Sequence, residues 1–336
     1  MTRLRIDMAA AGRSLPENID LALGARDAGW GGLWAAEVNA LEAASLLGAA
    51  GSQLGQGRLG TAIVPMQTRD PLLLAMMAAS LHQLTDEGFV LGLGTSTPII
   101  VEDWHATPWG DSPLGLTREC VEITRRLLDG ERVTTETGRW RYRRAQLARP
   151  PERRVPIYLA ALNDRMLELA GEVADGVILN FVTTADVRHA RVRLQAGADR
   201  AGRSLDDFEV VVFFRATETG RYEEVQDRYR SELFTYAMAP VYRRMFARAG
   251  LEEACLEVAR LWGNRQRQEA LEAVPEALIR ERTLIGTDEE VQGRLADYAT
   301  AGVSTALVTP VAAPGRDEYI ADCKRTVRAL SGVPAA

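Results

Sequence analysis

Short apolar runs rich in Val, Ile, Leu and Gly recur along the chain and alternate with longer stretches whose apolar positions fall three and four residues apart. Runs of the first kind suit buried strands and stretches of the second kind suit amphipathic helices, so their alternation predicts parallel strands joined by crossover helices. The strand-type runs lie near residues 4–9, 31–35, 59–64, 88–93, 155–160, 176–180, 208–214 and 304–309. Eight such runs are the number that a closed (β/α)8 barrel requires.

The helical stretches carry start signals with a physical basis. Ser14 with Glu17 forms a capping box with Pro16 in the first turn; Asp70-Pro71 and Ser112-Pro113 pair an N-cap with a first-turn proline; Thr287 with Glu290 is a second box. These signals predict helices near 15–28, 71–84, 113–129 and 288–301. A further helix runs from about Asn163, with Leu162, Met166, Leu169, Ala170 and Val173 on one apolar face that packs on the barrel.

Two stretches break the repeat. Residues 96–112 follow the fourth strand without clear helical period and are rich in Thr, Pro and Trp, and residues 222–283 predict three or more helices between strands seven and eight. Both follow the C-terminal ends of strands, where barrel active sites are built, so they are expected to wall and cover a substrate pocket. Residues 132–143, centred on Glu136-Thr137-Gly138, predict a hairpin on the rim. No linker or internal repeat divides residues 1–336, which reads as one barrel domain.

Composition narrows the range of functions. The chain has 46% hydrophobic and 26% charged residues, as ordinary globular enzymes do. A formal charge of −6 gives no long-range attraction to nucleic acid or to anionic membranes, so neither is an expected partner. Cys120, Cys255 and Cys323 lack metal-binding or redox spacing and read as reduced, buried thiols. The first residues, from Met1 to Asp7, lack the apolar stretch of a signal peptide, and no run approaches the roughly 20 apolar residues of a membrane span. A cytoplasmic protein is expected. His82, His105 and His189 form no metal-ligating pattern, so no metal is expected either.

Several segments, in order, carry a family resemblance. Leu59-Gly60-Thr61-Ala62-Ile63-Val64-Pro65, Arg69-Asp70-Pro71 and Phe89-Val90-Leu91-Gly92-Leu93-Gly94-Thr95 are followed by Val101-Glu102-Asp103-Trp104-His105 with Pro108-Trp109. Pro156-Ile157-Tyr158-Leu159-Ala160-Ala161, Ala170 to Gly176, and Ile285-Gly286-Thr287 with Asp288 to Val291 complete the series. Together they resemble the luciferase-like flavin-dependent oxidoreductase superfamily, and within it the branch that uses the deazaflavin coenzyme F420. The resemblance implies a barrel enzyme that transfers a hydride between coenzyme F420 and a small organic substrate, and commonly a homodimer.

It also implies roles for particular residues. By itself, Thr61-Ala62-Ile63 is an ordinary buried strand; the resemblance implies a backbone bulge there, with a non-prolyl cis peptide at Ala62-Ile63 behind the cofactor ring. Gly94 lets the backbone approach a ligand, while Thr95 and Ser96 can hydrogen-bond its phosphate or side chain. The stretch has no third glycine or helix start of a dinucleotide fingerprint, which excludes a Rossmann reading. Ala160, Ala161, Leu162 and Asn163 form a turn with small residues and an amide-capped helix start, the kind of site that holds an anion, and the resemblance implies the cofactor phosphate. Where relatives often have glycines, Leu162 and Asn163 add side chains.

Proton transfer is less well marked. Deazaflavin dehydrogenases typically carry an acid followed by His at the end of the second strand; this chain has Glu37-Val38, and a second family carboxylate aligns with Thr97. Glu37 is therefore the candidate catalytic acid or base, since a carboxyl beside an apolar ring in a barrel mouth would be desolvated. Its alternative role is to hydrogen-bond the cofactor or a neighbouring loop. The lysines that hold a sugar phosphate in glucose 6-phosphate enzymes have no counterparts. His105 is expected to support its loop, and Tyr236, Tyr242 and Phe246 have the helical spacing of core residues but could stack over a substrate. The rival functions are an FMN-dependent monooxygenase of the same superfamily and a non-catalytic barrel that only binds a cofactor.

Overall fold

The computed structural model describes residues 4–136, 138–312 and 319–331. Eight parallel strands close a barrel: β1 Arg5–Ala9, β2 Gly32–Ala35, β3 Arg58–Thr61, β4 Gly88–Gly94, β5 Ile157–Ala160, β6 Gly176–Asn180, β7 Glu209–Glu218 and β8 Thr305–Pro310. Each pairs with the next, and β8 pairs back onto β1, with Arg5 opposite Thr305 and Met8 opposite Val308.

The predicted helices start at the predicted caps. Helix α1 is Leu15–Asp27, α2 Ala43–Leu54, α3 Pro71–Leu81, α4 Pro113–Leu128, α5 Asp164–Val173 and α6 Thr184–Ala201. Ser14, Asp70, Ser112 and Asn163 each accept a backbone N–H of the first turn, which satisfies a group the helix itself leaves free. The box at Ser14 is only half formed, because the Glu17 carboxylate accepts from Arg13 N at 2.6 Å.

Residues 96–112 contain a π-helical turn, Ile99–Trp104, closed by His105 N donating to Ile100 O at 3.1 Å. Its wider repeat explains why a 3.6-residue period fails there. Beyond β7 come a 3-10 turn at Tyr222–Glu224 and helices α7 Gln226–Met238, α8 Pro240–Ala247, α9 Glu252–Gly263, α10 Arg267–Glu272 and α11 Glu276–Arg282. A short strand, Leu284–Gly286, then pairs with the end of β7 outside the barrel, followed by α12 Asp288–Ala301 with a complete Thr287/Glu290 box, and α13 Tyr319–Leu330. The hairpin is Val133–Thr135 against Tyr142–Ala145; Thr137 at its predicted centre lies outside the described residues. No described helix is long and apolar enough to cross a membrane.

The barrel interior follows the two-residue alternation of its strands. At the N-terminal end, Arg58 donates to Asp7 at 2.8 Å, to Glu209 at 2.8 Å and to the Thr305 hydroxyl at 2.7 Å, and Trp34 Nε1 donates to Asp7 at 2.7 Å. Above this charged plug lies an apolar layer that includes Ala9, Trp34, Val90, Tyr158, Ile178, Val211 and Leu307. Gly60 has no side chain because the Trp34 ring fills the space, with a Cβ there falling 2.4 Å from it.

Candidate functional site

Above the apolar layer the interior opens. Ile63, Ala160, Asn180, Phe213 and Thr309, each inward-facing on a different strand or its bulge, are only half-buried. This ring of residues is the mouth of the barrel at the strand C-termini, where enzymes of this architecture work.

One side of the mouth is floored by small residues. Strand β3 loses register after Gly60, which lies opposite Val90, and regains it at Val64 opposite Leu93, so one extra residue bulges out. The Ala62-Ile63 peptide in this bulge is cis. The Thr61 hydroxyl replaces the missing ladder bonds, accepting from Gly92 N at 2.9 Å and donating to Gly92 O at 2.8 Å. Gly92 is required here, since a Cβ would fall 1.7 Å from Thr61 O. A Cβ on Gly94 would meet Ile63 Cδ1 at 2.8 Å and Ala160 Cβ at 3.3 Å, so Gly94 is where the bulge and the ends of β4 and β5 close on one another.

Ile63, Gly94 and Ala160, expected at the cofactor, are thus brought into one surface, with Ala62 just behind it. Thr61 and Ala161 are not part of that surface. Thr61 is fully buried with its hydroxyl engaged, and Ala161 is buried with its N–H donated to Ile178 O at 3.3 Å. Neither side chain is exposed to the mouth. The Thr95 carbonyl accepts from Gln67 Nε2 at 2.9 Å and from Trp109 Nε1 at 3.1 Å, which ties the 96–112 segment to the rim, and Ser96 leaves the strand with a left-handed φ of 57°. Leu162 is half-buried, and the exposed Asn163 caps α5 through Met166 N at 3.0 Å. In the same first turn the Asp164 carboxylate accepts from His189 Nε2 at 2.8 Å; this bond, with the nearby arginines, holds its carboxyl below the ordinary value despite some burial. That negative charge leaves α5 a weaker anion site than its cap alone implies.

Glu37 lies beside the bulge, its N–H donating to Ile63 O at 3.0 Å. It is 9% exposed, and both carboxylate oxygens are engaged: Oε1 with Arg69 Nη1, and Oε2 with Arg69 Nη2 at 2.9 Å and Ala43 N at 3.1 Å. Arg69 also reaches Glu42. The desolvated carboxyl expected at the mouth is therefore a bidentate ion pair that fixes the start of α2, the geometry of an anchor. Val38 O accepts from His105 Nε2 at 2.9 Å, so His105 pins the π-helical turn over the loop after β2, and the Thr97 hydroxyl accepts from Ile100 N at 3.5 Å.

The opposite side of the mouth is polar and aromatic, and sequence reasoning missed its centre. Arg215 follows Glu209, Val211 and Phe213 on the inward face of β7, with its side chain 9% exposed. The signal was a charge following Val211 and Phe213 at two-residue spacing. Its guanidinium donates to Glu232 at 2.6 Å, to Asn180 Oδ1 and to Tyr236 OH at 3.1 Å, and it stacks on Phe181 and Phe213 at 4.2 and 4.4 Å. Asn180 donates to Tyr242 OH at 2.8 Å, and burial raises the pKa of that hydroxyl, keeping it protonated. Tyr236 and Tyr242 thus stand over the mouth, whereas Phe246 is fully buried core.

Residues 1–305 match the luciferase-like monooxygenase family. A Mycobacterium tuberculosis protein provisionally named a coenzyme F420-dependent oxidoreductase is 28% identical over 334 residues, covering 91% of this chain and 94% of that one. The 5,10-methylenetetrahydromethanopterin reductase of Archaeoglobus fulgidus is 25% identical over 273 residues, or 78% of this chain and 80% of its own. The solved coenzyme F420-dependent tetrahydromethanopterin reductase of Methanopyrus kandleri superposes with a TM-score of 0.82 at 21% identity, covering 99% of this chain and 98% of that one.

Proposed function

Because the chain belongs to the luciferase-like monooxygenase family, we propose that it is an oxidoreductase that uses coenzyme F420 to act on a small organic substrate. The observation that carries this reading is the floor of the mouth. Ile63, Gly94 and Ala160 meet beside a one-residue bulge as an apolar surface, which suits one face of a planar tricyclic ring. Thr95, Ser96, Leu162 and Asn163 on the adjoining rim would hold the ring's phosphate-bearing side chain. When bound, the cofactor supplies or accepts a hydride.

The chain's own groups hold, orient and cover. Thr61 and Gly92 set the height of the floor, and the Glu37–Arg69 pair fixes the loop beside Ile63, so Glu37 enters as a positioning residue. The 96–112 segment and helices α7 and α8, part of the 222–283 insertion, wall and roof the mouth and limit the access of water.

Titration of the purified protein with coenzyme F420 and with FMN, followed by fluorescence, tests the reading. Tight binding of coenzyme F420 over FMN, with anaerobic substrate-dependent oxidation or reduction of the bound cofactor, is the expected result. Preference for FMN together with oxygen consumption would replace it with the monooxygenase function. Tight binding without turnover across a substrate panel would leave a carrier.

A further inference from the structure

Arg215 has capacity to spare. A guanidinium carries five N–H donors, and Glu232, Asn180 and Tyr236 take three of them. One N–H on each terminal nitrogen has no acceptor among the described residues. A planar fork of donors held rigid between two aromatic rings is the arrangement that recognises a carboxylate in two-point fashion. The rigidity is built in from two sides. Phe181 takes a left-handed φ of 53°, unusual for a bulky side chain, while its carbonyl is held by Arg282 at 2.9 Å and its ring lies 4.2 Å from the Arg215 guanidinium.

The counter-ion differs in kind. Asn180 and Phe213 belong to the barrel, but Glu232 is supplied by α7 of the roof, and its side chain is 33% exposed against 9% for Arg215. Exchange of Glu232 for an incoming carboxylate would leave the charge inside the mouth unchanged and release Glu232 to solvent, so no uncompensated charge is buried at any stage.

We propose that Arg215 anchors the carboxylate of an organic-acid substrate with an aromatic or apolar body through its free terminal N–H groups, and that Glu232 on Nε is its counter-ion until the acid arrives. The inference rests on the reading that the mouth holds cofactor and substrate, and adds the substrate class. Phe213, half-buried at the mouth, lies beside the anchor and receives the body of the acid, with the buried Phe181 backing the guanidinium, while the floor across the mouth is left for the cofactor.

Benzoate is the probe, with benzamide as its neutral isostere and inorganic phosphate as a second anion, each titrated calorimetrically into the protein with and without coenzyme F420. Benzoate should bind and benzamide should not. Arg215→Met should weaken benzoate by about 10- to 100-fold, the worth of hydrogen bonds to a charged group. Glu232→Ala should strengthen benzoate, because it removes the competitor. That gain separates an anchor from a structural latch, for which both variants would weaken binding, and misfolding cannot produce it. Equal binding of benzamide, indifference to Arg215→Met, weaker benzoate in Glu232→Ala, or phosphate bound in preference to benzoate would each overturn the proposal. Coenzyme F420 titrated into the same samples keeps the two readings apart: its failure to bind removes the proposed cofactor, and benzoate binding to the protein alone still decides the anchor.

Discussion

Arg58→Met tests how the barrel floor is held. Arg58 bridges Asp7, Glu209 and Thr305 in the buried network, and its own side chain is 7% exposed. Methionine keeps the bulk and removes the charge, leaving Asp7 with Arg5 and Trp34 and leaving Glu209 with Thr305 and Tyr158. Breaking a buried pair by removing one partner costs about 3–5 kcal/mol. With an unfolding entropy of about 2.1 cal/mol/K per residue, a chain of this length loses about 4–7 °C in Tm for that cost. The pH dependence gives a second measure. For Asp7, burial works against ionisation, but the Arg58 and Arg5 charges and the hydrogen bonds from Arg58 and Trp34 outweigh it; for Glu209, Arg58 likewise outweighs burial, so both carboxyls sit below their ordinary values. Groups with lowered folded values add stability above their unfolded values and lose it as pH falls through the folded ones. In the variant those values rise and protonation relieves the negative charge that Arg58 no longer offsets. The Tm gap should therefore be widest near neutrality and narrow below about pH 4.5, where free carboxyls titrate. Thermal unfolding of both proteins from neutral to acid pH measures this. A gap under about 2 °C, well short of that entropy-based estimate, or one unchanged on acidification, would refute the account.

Other outcomes follow from the mouth. Gly94→Ala should push Ile63 into the site and cost about 1–3 kcal/mol of cofactor binding by overpacking, or roughly 5- to 150-fold in affinity, with little change in secondary structure by circular dichroism. Thr61→Val should leave Gly92 N–H and C=O unpaired and lower stability by about 1–3 kcal/mol per group in denaturant unfolding. Glu37→Gln should lower steady-state turnover less than about tenfold with an unchanged pH profile if the residue only positions its loop; a fall of about 10²- to 10⁴-fold with loss of one limb of the profile would make it the proton-transfer group instead.

The amino-acid sequence by itself determined the elements, their order and their ends, because those depend on interactions within a few residues. The eight apolar runs, the caps at Asp70, Ser112, Asn163 and Thr287, and the absent helical period in 96–112 are all local signals. The resemblance added which strand ends share a site. Only the tertiary structure decided what each polar side chain there does. Thr61 is committed to Gly92, 31 residues on, Glu37 to Arg69, 32 residues on, and Arg215 to Glu232 on α7. Those partners are set by strand register, barrel closure and the placing of the insertion, none of which leaves a periodic trace in the chain. A carboxylate that reads as a free acid in sequence meets a guanidinium once the chain folds, and an arginine two residues beyond Val211 and Phe213 faces the mouth once barrel closure turns it inward.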